Sequence, residues 1–199
     1  MSDVRTNTPS RRAVAALAVA ALTVVLAACV PPAPPTSATT TTSSTVPACV
    51  PEPATVSRGN VSLTVSQATC LEVGDEVTIT GSGYTTTGNL GTRPPLFGQP
   101  GGVYVLLGEF GDPWRPSQGA PSTNRRSIVQ QWALPASSYA VLAGMGQTGL
   151  AQMTPQGDFT TTLTIAEPLG QLPTLGIATY AGSGSVNAGE ELLVPVSFG

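Results

Sequence analysis

Val61-Ser62-Leu63-Thr64-Val65, followed by Glu76-Val77-Thr78-Ile79-Thr80-Gly81-Ser82-Gly83, decides the fold class of this chain. Aliphatic and hydroxyl side chains alternate strictly. Successive side chains of a strand point to opposite faces, so Leu63, Val65, Val77 and Ile79 share one face while Ser62, Thr64, Thr78 and Thr80 share the other. A helix would scatter the same residues around its circumference. Outward from this pair the texture repeats. Val103-Tyr104-Val105-Leu106-Leu107 is a continuous apolar run flanked by glycines, which suits a central strand covered on both faces. Ser127–Leu134 is a weaker run carrying Trp132. Phe159, Thr161, Leu163 and Ile165 follow the Gln156-Gly157-Asp158 turn; Leu175, Ile177 and Thr179, then Leu193, Val194, Val196 and Phe198, complete the set. About seven short strands without a long amphipathic helix predict an all-β, antiparallel β-sandwich with Greek-key connections.

Composition agrees. The 199 residues include 22 Gly and 19 Pro, about a fifth of the chain where average usage gives roughly 12%. With 41% apolar and only 10% charged residues, a coiled coil and a helical bundle are excluded, while enough apolar surface remains for a core. Three stretches are too long for plain hairpins: Ser82–Gly101, Gly111–Arg126 and Pro135–Pro155. Within the third, Ser137–Ala143 suits either a short helix or an extra strand. Loops of this length are often functional.

The N-terminus carries an address. Arg5, Arg11 and Arg12 precede a 16-residue apolar run, Ala13–Ala28, that ends in small residues. That pattern predicts a secretory signal over residues 1–28, since a spanning helix needs about 20 apolar residues and Pro31 and Pro32 follow at once. Ser10-Arg11-Arg12 is a partial twin-arginine pattern, so the export route stays open. Leu26-Ala27-Ala28-Cys29 resembles the lipobox of bacterial lipoproteins, which implies cleavage before Cys29 and lipidation of its thiol. The other reading is an ordinary cleaved signal with an incidental cysteine.

Three cysteines make an odd number for an exported chain. With Cys29 lipidated, Cys49 and Cys70 remain as a pair in an oxidising compartment, either bonded or as two free thiols. Residues 29–46 read as a tether, Pro-rich at first and then almost entirely Thr and Ser. Such composition offers no apolar periodicity to offset the entropy of folding. Extended at about 3.1 Å per residue, it reaches roughly 50 Å. It is either a bare spacer or an O-glycosylated one. Residues 47–199 form the sandwich domain.

The chain has 8 Arg, no Lys, no His and 11 acidic residues, for a net charge of −3. Nucleic-acid binding needs the opposite balance. Without His or Lys a serine nucleophile lacks its ordinary base, and two cysteines without histidine do not make a zinc site. No catalytic residue, metal ligand or cofactor is therefore assigned. Asp75-Glu76 and Glu190-Glu191 stand at turn-to-strand junctions as solvated charge, while Glu109 and Asp112 are the weak candidates for calcium. One segment differs from its surroundings: Gly111-Asp112-Pro113-Trp114-Arg115-Pro116-Ser117 with Asn124-Arg125-Arg126. Trp and Arg are the pairing enriched in binding hot spots, so Trp114, Arg115, Arg125 and Arg126 are the candidate partner-binding residues. The alternative has Trp114 packed over a sandwich end with solvated arginines around it.

The opening strands, Val61–Val65 with Leu71–Tyr84 around the Gly74-Asp75 turn and the Gly81-Ser82-Gly83 exit, resemble secreted actinobacterial immunoglobulin-like domains, in particular the neocarzinostatin-type apoproteins. Gly157–Ile165 and Leu193–Phe198 are similar to later strands of that family. The resemblance implies an immunoglobulin-like sandwich and an apolar small molecule held in a cleft. Cys49 and Cys70 lie elsewhere than that family's disulfides. Gly102–Val105 with Trp114–Ser117, and Gly176–Tyr180, resemble immunoglobulin-like modules of actinobacterial haem-uptake surface proteins, whose haem-binding domains use Tyr and His; this chain has no His. The expectation is a lipid-anchored protein on the outer face of the cell membrane. It would display a non-enzymatic binding or structural domain to a cell-wall polymer, a surface protein or a small apolar ligand, with a cleft carrier as the alternative.

Overall fold

The computed structural model describes residues 48–199. The leader 1–28, Cys29 and the 29–46 tether lie outside them. The strict alternation becomes β1 (Ala54–Arg58), β2 (Val61–Val65), β3 (Glu76–Ser82) and β7 (Phe159–Thr164), one sheet in the order β1-β2-β3-β7. The more continuous apolar runs become β4 (Val103–Phe110), β5 (Arg125–Leu134), β6 (Leu150–Gln152), β8 (Thr174–Ala181) and β9 (Leu192–Pro195), a second sheet in the order β6-β5-β4-β8-β9. The chain crosses between sheets from β3 to β4, from β6 to β7 and from β7 to β8. This is an immunoglobulin-like β-sandwich.

Two elements exceed the expected count of about seven strands. β1 holds a single branched aliphatic residue, Val56, between Thr55 and Ser57, so its period is hard to see; it is fixed by a hairpin to β2 through Gly59-Asn60. The turn needs a positive φ at its first central position, and Gly59 supplies 59°. β6 pairs with β5 in parallel, against the antiparallel rule of the rest. Parallel neighbours require a crossover, and α1 (Ala136–Gly144) provides it. The segment left open between helix and strand is thus helical.

The inner faces meet in one packed core. Leu63, Val65, Val77, Ile79, Leu163 and Ile165 from the first sheet face Val103, Val105, Leu107, Ile177 and Val194 from the second. Gly81 is required where Phe159 lies across β3, because a Cβ there would stand 2.2 Å from the phenyl ring. Cys49 and Cys70 are bonded, with Cα atoms 5.6 Å apart. The bond ties the segment entering β1 to the connection after β2, where Leu71 also bridges Phe198. Closing a loop of this size is worth about 3 kcal/mol in the chain-entropy account. Among the described residues no helix is long and apolar enough to cross a membrane.

Candidate functional site

The alternation of β4 sends its odd-numbered residues into the core and its even-numbered ones to the outer face of the five-stranded sheet. On that outer face Tyr104 stands in register with Trp132 of β5 and with Tyr180 of β8. The three rings form a row across the sheet, with centroids 4.8 Å and 5.6 Å apart. Two of their polar ends are engaged: Trp132 Nε1–H donates to the Gly101 carbonyl at 2.7 Å, and the Ser183 amide donates to the Tyr104 hydroxyl at 3.3 Å.

Further along the strands, Leu106, Phe110 and Ala178 form a second apolar patch, covered by the loop between β4 and β5. Trp114 closes that patch, 9% exposed, with its ring 5.3 Å from Phe110 in an edge-on contact. Hydrogen bonds pin the loop. Arg125 Nη1 donates to the Trp114 carbonyl, Asn124 Nδ2 donates to the Pro113 carbonyl at 2.8 Å, and the Ser117 amide and hydroxyl both donate to Glu191. Arg115 stacks on the outer side of Trp114, 5.5 Å from its centroid, and its Nε is buried without a hydrogen-bond partner among the described residues.

Between this loop and the turn after β8 lies a cleft of about 340 Å³. Tyr104 and Tyr180 form its floor, Arg125 and Arg93 its walls, and Ser122 and Ser185 part of its rim. The Arg125 guanidinium lies 5.6 Å over the Tyr180 ring. Burial pushes the Tyr180 phenol above its ordinary pKa, and the Arg125 charge draws it partly back. No carboxylate lines the cleft.

The sequence-predicted residues therefore separate. Trp114 is turned inward as a lid, Arg115 backs it, and Arg125 both anchors the lid and faces the cleft. Arg126, exposed, projects from the opposite side of β5. Arg93, Tyr104 and Tyr180 were not singled out from the sequence. The two tyrosines sit in strands that read as fold-bearing, and a strand parity shared with Trp132 is the signal that links them.

The acidic residues also differ from expectation. Glu190 and Glu191, read as solvated, are 2% and 0% exposed. Glu190 accepts from the Thr85 amide at 2.6 Å and from Asn89 Nδ2; burial nevertheless holds its carboxyl above the usual range. Glu109, the weak calcium candidate, gives its carboxylate to the amides of Gly170, Gln171 and Leu172. Burial opposes its charge, and those converging N–H groups outweigh burial, holding Glu109 below the usual carboxylate range. Among the described residues no group of three or more His, Cys, Asp or Glu is placed to hold a metal ion.

No protein-family model matches the chain, and neither the curated proteins nor the solved structures contain a match.

Proposed function

We propose that this chain is a lipid-anchored cell-envelope protein that displays a non-enzymatic immunoglobulin-like domain for binding. The observation that carries the reading is the aromatic and guanidinium cleft on an outer sheet face. Binding surfaces favour Tyr, Trp and Arg, and the cleft sets two tyrosines beside two arginines with no carboxylate in its lining. The leader run and Leu26-Ala27-Ala28-Cys29 supply the anchor, the 29–46 tether supplies the reach, and the Cys49–Cys70 bond suits an oxidising compartment. The non-enzymatic part rests on residue chemistry: there is no His or Lys, and the carboxylates of Glu109, Glu190 and Glu191 are engaged by backbone and side-chain donors.

One observation favours the carrier alternative. A second cavity, about 300 Å³ and lined largely by apolar groups including Pro135, Ala136, Met153 and Pro155, opens beside the start of α1. The space between the sheets is filled by side chains, so a carrier would use a peripheral pocket such as this one.

Membrane fractionation of Cys29→Ala tests the anchor. The variant is expected to leave the membrane fraction and to lose incorporation of a labelled fatty acid. A variant that stays membrane-bound with its leader removed overturns the lipid anchor.

A further inference from the structure

We propose that the cleft over Tyr104 and Tyr180 is a binding site for an acidic saccharide, with the sugar ring on the tyrosine floor and its carboxylate between Arg93 and Arg125. This rests on the display reading above and gives its site a ligand class.

The charge argument comes first. Ten acidic residues follow Cys29 against five arginines. In so acidic a domain, two of those arginines face one cleft that no carboxylate lines. A guanidinium presents paired donors that match a carboxylate, and no acidic side chain in the lining competes for them. The floor argument comes second. Two tyrosine rings set 70° apart present apolar faces with polar tips, the combination that meets a sugar's C–H face and its hydroxyls, while Ser122 and Ser185 stand at the rim. A bare inorganic anion would leave the aromatic floor unused. An apolar ligand would strip water from two guanidinium groups without replacing it. The volume lies at the lower end of the about 300–1,000 Å³ common for small-ligand sites, which suits a short stretch of a glycan.

Arg125 is held in place before any ligand arrives, and so is the backbone that carries Arg93. Arg125 is fixed by its bond to the Trp114 carbonyl and its stack on Tyr180. The backbone at Arg93 is fixed by Ser183, whose hydroxyl donates to the Arg93 carbonyl at 3.0 Å and whose own carbonyl accepts from the Thr92 amide at 2.8 Å. Gly184, at φ 79°, lets the Arg93 side chain pass close by; a Cβ there would stand 3.0 Å from its Nε. Preorganised groups lose less freedom on binding.

Calorimetric titration of the full chain in non-ionic detergent tests the site, with a galacturonate trisaccharide, its neutral methyl ester and inorganic phosphate as probes. The trisaccharide is expected to bind saturably. The ester should bind at least about tenfold more weakly, as should the trisaccharide to Arg93→Met, since each removes a charge-assisted contact. Arg93 is exposed, so this variant keeps its fold, which circular dichroism verifies. Tyr180→Phe should bind more weakly by about threefold to tenfold, because the ring face remains while the polar tip that meets a sugar hydroxyl is lost. Equal affinity for the ester, equal affinity for phosphate, or an unchanged Arg93→Met overturns the assignment. So does wild type that binds no probe, and release of Cys29→Ala from the membrane in that case leaves the lipid-anchor part of the reading standing.

Discussion

The two outer faces of the sandwich are built from the same pleated backbone and meet opposite fates. On the four-stranded sheet, Thr55, Thr64, Thr80 and Thr160 stand in register across all of its strands, and Thr55 and Thr64 share a hydrogen bond of 2.9 Å between hydroxyls. Along β3 exposed and buried residues alternate without exception. On the five-stranded sheet, every residue of β4 except the half-buried Tyr104 is buried: the Trp114 loop covers Leu106 and Phe110 on the outer face, while Tyr104 stands between Trp132 and Tyr180 at the cleft. Alternation in a sequence therefore locates a face that meets water. Its loss announces a cover without saying which segment supplies it.

The largest test of this contrast is Trp114→Ala. Removing a buried aromatic that seals Phe110, Leu106 and Ala178 should cost about 3–5 kcal/mol, read as a shift of the denaturation midpoint in urea. The sequence leaves Trp114 open between a partner-binding residue and one packed over a sandwich end; its burial favours the second. A loss below about 1 kcal/mol would mean that the loop lifts away from the sheet and that Trp114 is available to a partner after all.

That choice, open in the sequence and decided by the structure, shows where the sequence was legible and where it was not. β2, β3 and β7 follow from side-chain period and the central β4 from its continuous apolar run, since each pattern depends on neighbours within one strand. β1 has too few aliphatic residues to show a period, and β6 exists only because α1 returns the chain to the edge of β5. The disulfide followed from counting cysteines once Cys29 was set aside. The site did not. The cleft joins Arg93, Tyr104, Arg125 and Tyr180 from separate segments, and the donors that bury Glu190 and Glu191 lie 74 to 105 residues away along the chain. Carboxylates at turns read as solvated because such long-range neutral donors leave no local mark.

The buried carboxylates give a second comparison within the molecule. Glu109 has its pKa lowered by folding, so the stability it contributes is present above the unfolded pKa and is lost as pH falls through the folded value. Glu190 has its pKa raised, so its contribution is present below the unfolded pKa and is lost as pH rises through the folded value. Carbon-detected NMR titration should find the Glu109 carboxyl titrating below the ordinary glutamate range and Glu190 above it. Glu109→Gln should cost about 2 kcal/mol at neutral pH, because the bonds lost are charge-assisted and an amide N–H would face the backbone donors. The gap to wild type should narrow as pH falls through the Glu109 pKa. A gap constant with pH would show that Glu109 is held by packing and not by its charge.

The smallest effect belongs to the threonine face. Thr80 lies between Thr64 and Thr160 in the middle of its row and is exposed. Thr80→Val keeps the β-branched shape that suits a pleated strand and removes only a hydroxyl that water already satisfies. Stability should change by no more than about 0.5 kcal/mol in either direction, measured by the same urea titration as Trp114→Ala. The sign is set by two small opposing effects: the methyl packs slightly better against its cross-strand neighbours, and the exposed surface becomes more apolar. A loss beyond about 1 kcal/mol would require the Thr80 hydroxyl to be engaged by something other than water. The four-stranded sheet would then have a cover of its own, and the difference between the two faces would lie in what covers them.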